Sequence, residues 1–184
     1  MRPFRLIAAQ AAASLLLVAC GNDTPTPTSP ATMPAFKAAF KPIQMMDACD
    51  PETFNAAVGP GTCVRNGGVR FPRFLQLLGQ HHTVGAWHFA PSTVNARVGQ
   101  TLRAVNHGGE VHTFTEVEEF GGGIVPDLNT LAGTPKPAPE CLTLPPSDFV
   151  PPGGTYTDEV EEAGVERYQC CIHPWMRAVV TARE

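Results

Sequence analysis

The chain has 184 residues, enough for one domain with appendages and short for two full domains. Its 19 prolines and 17 glycines, with charged residues at only 16%, point to short strands and many turns, and 43% apolar content excludes a disordered chain. A formal net charge of −4 makes nucleic acid a poor partner.

Arg2 and Arg5 precede an apolar run from Leu6 to Ala19 that closes on Leu-Val-Ala-Cys20, the charged-then-apolar order of a secretory signal. About 14 apolar residues are too few to cross a bilayer, which takes about 20. The end of the run resembles the lipobox of bacterial lipoproteins. That resemblance implies cleavage after residue 19, lipid on Cys20 and a membrane anchor, and Gly21 in place of Asp implies the outer membrane, facing the periplasm. Loss of residues 1–19 removes Arg2 and Arg5 and makes the mature chain more acidic, which suits a basic protein partner.

Residues 20–45 read as a tether, because Asn22 to Pro34 alternates Thr with Pro and has no apolar period. Met33, Phe36 and Phe40 recur at near-helical spacing before Lys41-Pro42, which is as consistent with a single turn as with a helix. Residues 46–83 read as a helical extension. Asp50 as cap, Pro51 at the first position and Gly59 just past the end predict one helix. Cys49 and Cys63 flank it, placed for a disulfide in an oxidising compartment. Phe71, Phe74, Leu75 and Leu78 predict a second helix that ends at Gly79. His81, His82 and His88 read as surface histidines.

Residues 84–184 carry a strand pattern. Trp87 and Phe89, then Val94, Ala96 and Val98, then Leu102 and Ala104 alternate with polar residues. Glu110 to Val117 reads as one strand with His112 and Phe114 on one face. His107, among turn residues, is the weaker ligand candidate. Phe120 to Val150 holds Cys141, a triple glycine and many prolines, and reads as a long loop. Tyr156 to Val160, Val165 to Cys170 and Arg177 to Ala182 are the last three predicted strands.

The densest chemistry lies in Tyr168-Gln-Cys-Cys-Ile-His-Pro-Trp-Met176. Cys170, His173 and Met176 offer a thiolate, an imidazole and a thioether within seven residues, and His112 supplies a second imidazole. Two His and one Cys with a weak axial Met are the ligand set of blue copper. Cys-x-x-His alone would also serve zinc, but a four-coordinate zinc site would want more Cys or His.

These two segments resemble the cupredoxins such as plastocyanin, amicyanin and pseudoazurin, over roughly residues 86 to 184. Thr113 stands where members commonly carry Asn, and Cys171 is an additional cysteine inside the loop. The resemblance implies an all-β, Greek-key β-sandwich with one type 1 copper held by His112, Cys170, His173 and Met176. It implies a monomer that passes single electrons between redox protein partners, docking through the surface around His173 and Pro174. A copper-delivery protein is the alternative, and a catalytic red-copper site with an open coordination position is a third class. No nucleophile–base or carboxylate pair appears, so no independent enzyme activity is expected. With Cys20 given to lipid and Cys170 to metal, four cysteines remain and allow three pairings. Position favours Cys49 with Cys63, and then Cys141 with Cys171.

Overall fold

The computed structural model describes residues 40–184. The expected signal, Cys20 and most of the expected tether lie outside them. Among the described residues the architecture is all-β with three short helices and ten strands. The strands follow in chain order: β1 (Lys41–Met46), β2 (His88–Ala90), β3 (Thr93–Arg97), β4 (Thr101–Asn106), β5 (His112–Thr113), β6 (Thr115–Val117), β7 (Phe149–Val150), β8 (Thr155–Glu159), β9 (Gly164–Gln169) and β10 (Arg177–Arg183). The helices are α1 (Pro51–Ala57), α2 (Phe71–His81) and α3 (Pro126–Leu131).

Two four-stranded sheets enclose the core. One runs β2-β1-β4-β8, the other β3-β10-β9-β6, and β5 pairs separately with β7. Alternation drives this arrangement, since successive side chains on a strand point to opposite faces. Ile43 and Met45 of β1 and Leu102 and Ala104 of β4 point inward, against Ala178, Val180 and Ala182 of β10. Each fully buried Leu, Ile or Met contributes about 1.5–3 kcal/mol relative to exposure.

Strand β1 falls where the sequence places the tether. It pairs in parallel with β4 from Lys41 to Met45 and antiparallel with β2, so it sits inside the first sheet. Pro42 in this strand hides it from a propensity reading, because proline cannot donate to a ladder. Glu110 to Val117 is also not one strand. The chain pairs with β7 at His112 and Thr113, crosses at Phe114, and pairs with β9 from Thr115 to Val117. All four residues from His112 to Thr115 are therefore buried, and the simple inward–outward alternation fails there.

Helix α1 is capped by Asp50, whose carboxylate accepts the Thr53 amide N–H at 3.0 Å. Helix α2 runs through Gly79 and ends at His82, which adopts the left-handed conformation at φ 58° and donates its N–H to Leu78. Gly79 costs an α-helix only about 1 kcal/mol, too little to stop one whose Phe74 and Leu78 are buried. The two helices meet the sandwich through aromatic rings. Phe54 stacks on Trp87 at 5.8 Å, and Phe74 lies 4.8 Å from Trp87 and 5.9 Å from Trp175. The Cys49–Cys63 disulfide spans α1. The segment 120–150 holds α3, two 3₁₀ turns and β7, and its Cys141 is bonded to Cys171. Among the described residues no helix is long and apolar enough to cross a membrane.

Candidate metal centre

β9 ends at Gln169 and β10 begins at Arg177, which faces Gln169 in the antiparallel register. The connection between them is closed by its own backbone. Cys170 N–H donates to Met176 O at 3.0 Å, and Met176 N–H donates to His173 O at 2.9 Å. Arg177 Nε adds a hydrogen bond to Pro174 O at 2.8 Å. Cys170, His173, Pro174 and Met176 are all buried in this loop. The fourth residue, His112, arrives on β5 and is fully buried.

Three donor atoms face one another. Cys170 Sγ lies 3.8 Å from His112 Nδ1 and 3.8 Å from His173 Nδ1, and the two Nδ1 atoms are 3.2 Å apart. A triangle with those sides has a centre about 2.1 Å from every corner, close to the metal–nitrogen distance of about 2.0–2.1 Å and near the metal–thiolate distance of about 2.3 Å seen with zinc. Without a metal, protons on the ring nitrogens bridge these donor atoms, and one ion of that radius can take their place. The donor set therefore fits a first-row transition ion. Met176 is fully buried at the end of the same loop.

The surroundings of the sulfur favour its ionised form. Burial works against ionisation, but hydrogen bonding and charge from His112 and His173 outweigh it and bring the Cys170 thiol well below its ordinary value. Two backbone N–H groups, of Thr113 and of His173, also point at Sγ at 3.4 Å each. The Thr113 hydroxyl accepts the Cys171 N–H at 2.7 Å and so ties β5 to the ligand loop. Among the described residues Cys170 is the one free cysteine.

Carboxylates stand behind both imidazoles. Asp47 Oδ2 lies 2.9 Å from His112 Nε2. Burial pushes the Asp47 carboxyl up, but the His112 hydrogen bond and the amides of Glu110 and Gly109 hold it at about 2. Burial likewise pushes His112 down, and Asp47 and Cys170 more than compensate, raising it to about 9. Glu110 Oε2 lies 3.6 Å from His173 Nε2 and accepts the Trp87 indole N–H at 2.6 Å. Burial raises the Glu110 carboxyl, with His173 and Trp87 opposing the shift. Asp47, Cys49 and Glu110 also lie close together. Cys49 is oxidised in its disulfide, so this second group lacks the thiolate a metal would need.

The sequence points to His112, Cys170 and His173, and the structure brings these three together, with Met176 in the same loop. His107 is exposed and its side chain is elsewhere. His81, His82 and His88 are exposed too. At the expected docking surface, His173 is only 3% exposed and Pro174 is buried, so their neighbours form the outer face there. The helical extension, with α3, covers that end of the sandwich. It leaves an apolar cavity of about 480 Å³ lined by Phe54, Phe71, Phe74, Leu128 and Ile172, with Glu110 and His173 also in its wall. Sequence reasoning missed Asp47, Glu110 and Trp87. Asp47 is 65 residues from His112, and no spacing rule links an acidic residue to a histidine that far away.

No protein-family model matches the chain, and no curated protein matches it. Among solved structures it is similar to a purple cupredoxin from Nitrosopumilus maritimus, at 18% identity and a TM-score of 0.44, over 77% of this chain and 98% of that one. It is also similar to an amicyanin mutant in its Cu(I) form, at 19% identity and a TM-score of 0.35, over 52% of this chain and 73% of that one. A second amicyanin mutant, in a reduced Cu(I) form at pH 4, gives 21% identity and a TM-score of 0.35, with the same coverage.

Proposed function

We propose that this chain is a type 1 copper protein of the cupredoxin kind that carries single electrons between protein partners at the cell envelope. The observation that carries this reading is the buried triangle of His112 Nδ1, His173 Nδ1 and Cys170 Sγ, with sides of 3.2, 3.8 and 3.8 Å. Met176 would be the weak axial donor. A thioether favours copper over zinc, because soft sulfur ligands suit Cu(I). Bound copper would supply a one-electron couple. The chain's own residues supply rigidity: the loop is hydrogen-bonded end to end, His112 is anchored by Asp47, and the two N–H groups on Cys170 Sγ hold the sulfur in place. A centre that cannot rearrange exchanges an electron with little structural change. The remaining elements of the reading are the lipid on Cys20, the membrane anchor, the basic redox partners, the monomeric state and the absence of an independent enzyme activity.

The test is the visible spectrum of the copper-loaded protein. An intense thiolate-to-copper band is expected, lost in Cys170→Ser and kept in Cys171→Ala. Absence of that band in the unsubstituted protein overturns the type 1 assignment. Reduction in the presence of a moderate Cu(I) chelator, followed by reoxidation, separates a carrier from a delivery protein. Full recovery of the band is expected, and loss of copper to the chelator would favour delivery. For the anchor, Cys20→Ser should give an exported protein that no longer fractionates with membranes, and unchanged fractionation would overturn it.

A further inference from the structure

One carboxylate at the metal centre is built in more tightly than a copper ligand set requires. Asp47 follows β1, and its side chain is 1% exposed. Oδ2 accepts the Glu110 N–H at 3.0 Å and the Gly109 N–H at 2.8 Å, and it meets His112 Nε2 at 2.9 Å. Oδ1 accepts the Gly109 N–H at 2.9 Å and the Cys49 N–H at 3.2 Å. A Cβ on Gly108 would overlap Oδ2, and one on Gly109 would meet Cys49 Sγ at 2.7 Å. Gly108-Gly109 thus makes room for the carboxylate, and three backbone amides fix its orientation.

An ionised carboxylate can only accept hydrogen bonds. His112 must therefore donate from Nε2, which leaves Nδ1, on the Cys170–His173 side, as the nitrogen available to a metal ion. A second-nitrogen partner of this type orients a metal-binding imidazole and raises its basicity. The negative charge also acts on the ion. An anion fixed in a buried place favours Cu(II) over Cu(I), and burial keeps salt from screening it. Glu110 is not equivalent: 3.6 Å from His173 Nε2 is too long for a hydrogen bond, and its Oε2 is engaged by Trp87.

Resting on the copper reading above, we propose that Asp47 is a positioning residue of the metal centre: through Nε2 it fixes His112 as an Nδ1 donor, and its charge holds the reduction potential down. The two roles separate in two variants. In Asp47→Asn a carbonyl in the Oδ2 place keeps the bonds from His112, Glu110 and Gly109 and removes the charge, while the NH2 in the Oδ1 place gives up the bond from the Cys49 N–H and the second one from Gly109. Asp47→Ala removes both.

The experiment uses the full chain loaded with Zn(II) or with copper. Zn(II) affinity should fall about 10- to 100-fold in Asp47→Ala and should be largely rescued in Asp47→Asn. In the Zn(II) form, NMR should show a slowly exchanging His112 Nε2–H in the unsubstituted protein and in Asp47→Asn. The ratio of Cu(II) to Cu(I) affinity should fall at least about tenfold in Asp47→Asn, read as a potential raised by about 59 mV for one electron. An unmoved potential in Asp47→Asn, with the thiolate-to-copper band intact, overturns the charge role. Unchanged Zn(II) affinity in Asp47→Ala overturns the positioning role, and if that variant does not fold, a missing His112 Nε2–H signal in the unsubstituted Zn(II) protein overturns it instead. A missing band in the unsubstituted copper protein overturns the copper reading beneath the proposal, which distinguishes the two failures.

Discussion

Phe114 stacks on Tyr168, their ring centroids 4.4 Å apart and their planes only 9° from parallel. Phe114 stands two residues after His112, and Tyr168 two before Cys170. This pair therefore locks the segments that carry two of the three donor atoms. Phe114→Ala should cost about 3–5 kcal/mol of stability, the usual range for deleting a buried Phe. Urea unfolding of the metal-free protein measures it. A loss below 1 kcal/mol would show that the two segments are held by something else.

The Cys141–Cys171 bridge joins segments 30 residues apart and sits in a small apolar cluster with Val117 and Ala138. It supports the ligand loop from outside and offers no donor to the centre. The double variant Cys141→Ala, Cys171→Ala should lose about 2–5 kcal/mol while keeping the visible copper band. Calorimetry and absorption on the same sample check both halves.

The cover over His173 rests on Phe74, which is 2% exposed and touches Phe54, Trp87 and Trp175. Phe74→Ala should destabilise the chain by about 3–5 kcal/mol and open a path to the imidazole. Removal of reduced copper by a bulky Cu(I) chelator should then speed up several-fold. An unchanged rate would place the access route elsewhere.

At the far end of β8 and β9, Glu116 and Glu166 share a surface with Asp158, Glu161 and Glu162. Burial raises both Glu116 and Glu166 above the ordinary value of 4.5; neighbouring carboxylates add to it at Glu116, and at Glu166 the Tyr168 hydroxyl opposes the rise more than any single carboxylate adds to it. For an acid raised in the folded state the unfolded chain ionises first, so stability falls as pH climbs from about 4.5 through the raised values. Glu162→Lys should flatten that fall and stabilise the protein at pH 7 by up to about 1 kcal/mol, as expected of partly exposed charges. Thermal melts at low and at 1 M salt check this, because salt at 1 M shrinks the screening length to about 3 Å.

Local pattern made β8 and β10 readable, since their side chains alternate between more and less buried positions, whereas β9 passes from an exposed start to a buried end and was legible from apolar Val165 and Tyr168 and the Cys170 that follows it. The three-residue spacing from Cys170 to His173 was legible for the same reason: a tight loop preserves sequence proximity as spatial proximity. Strand β1 was not, because Pro42 and the neighbouring Pro/Thr segment outweigh two inward residues, Ile43 and Met45. The crossing at Phe114 was hidden because a strand that changes partner looks like one run of apolar residues. Asp47 and Glu110 were beyond any periodicity argument. Their roles arise from tertiary approach, in the first case allowed by Gly108-Gly109, and a glycine pair announces room without saying what fills it. The cover over His173 was foreseen only as a helical extension; nothing in the amphipathic pattern of α2 says which end of the sandwich it closes.

Cys170 and Cys171 are neighbours in the chain, yet one is a free buried thiol and the other is oxidised with Cys141. On the export proposed above, the chain would acquire its disulfides from oxidants that do not distinguish adjacent sulfurs by sequence. Bonding of Cys141 to Cys170 would leave a spare thiol at Cys171 and no thiolate beside His112 and His173. On that proposal, maturation would contain a proofreading problem: the cell would have to reshuffle the wrong isomer or let a metal ion claim Cys170 before the oxidant arrives.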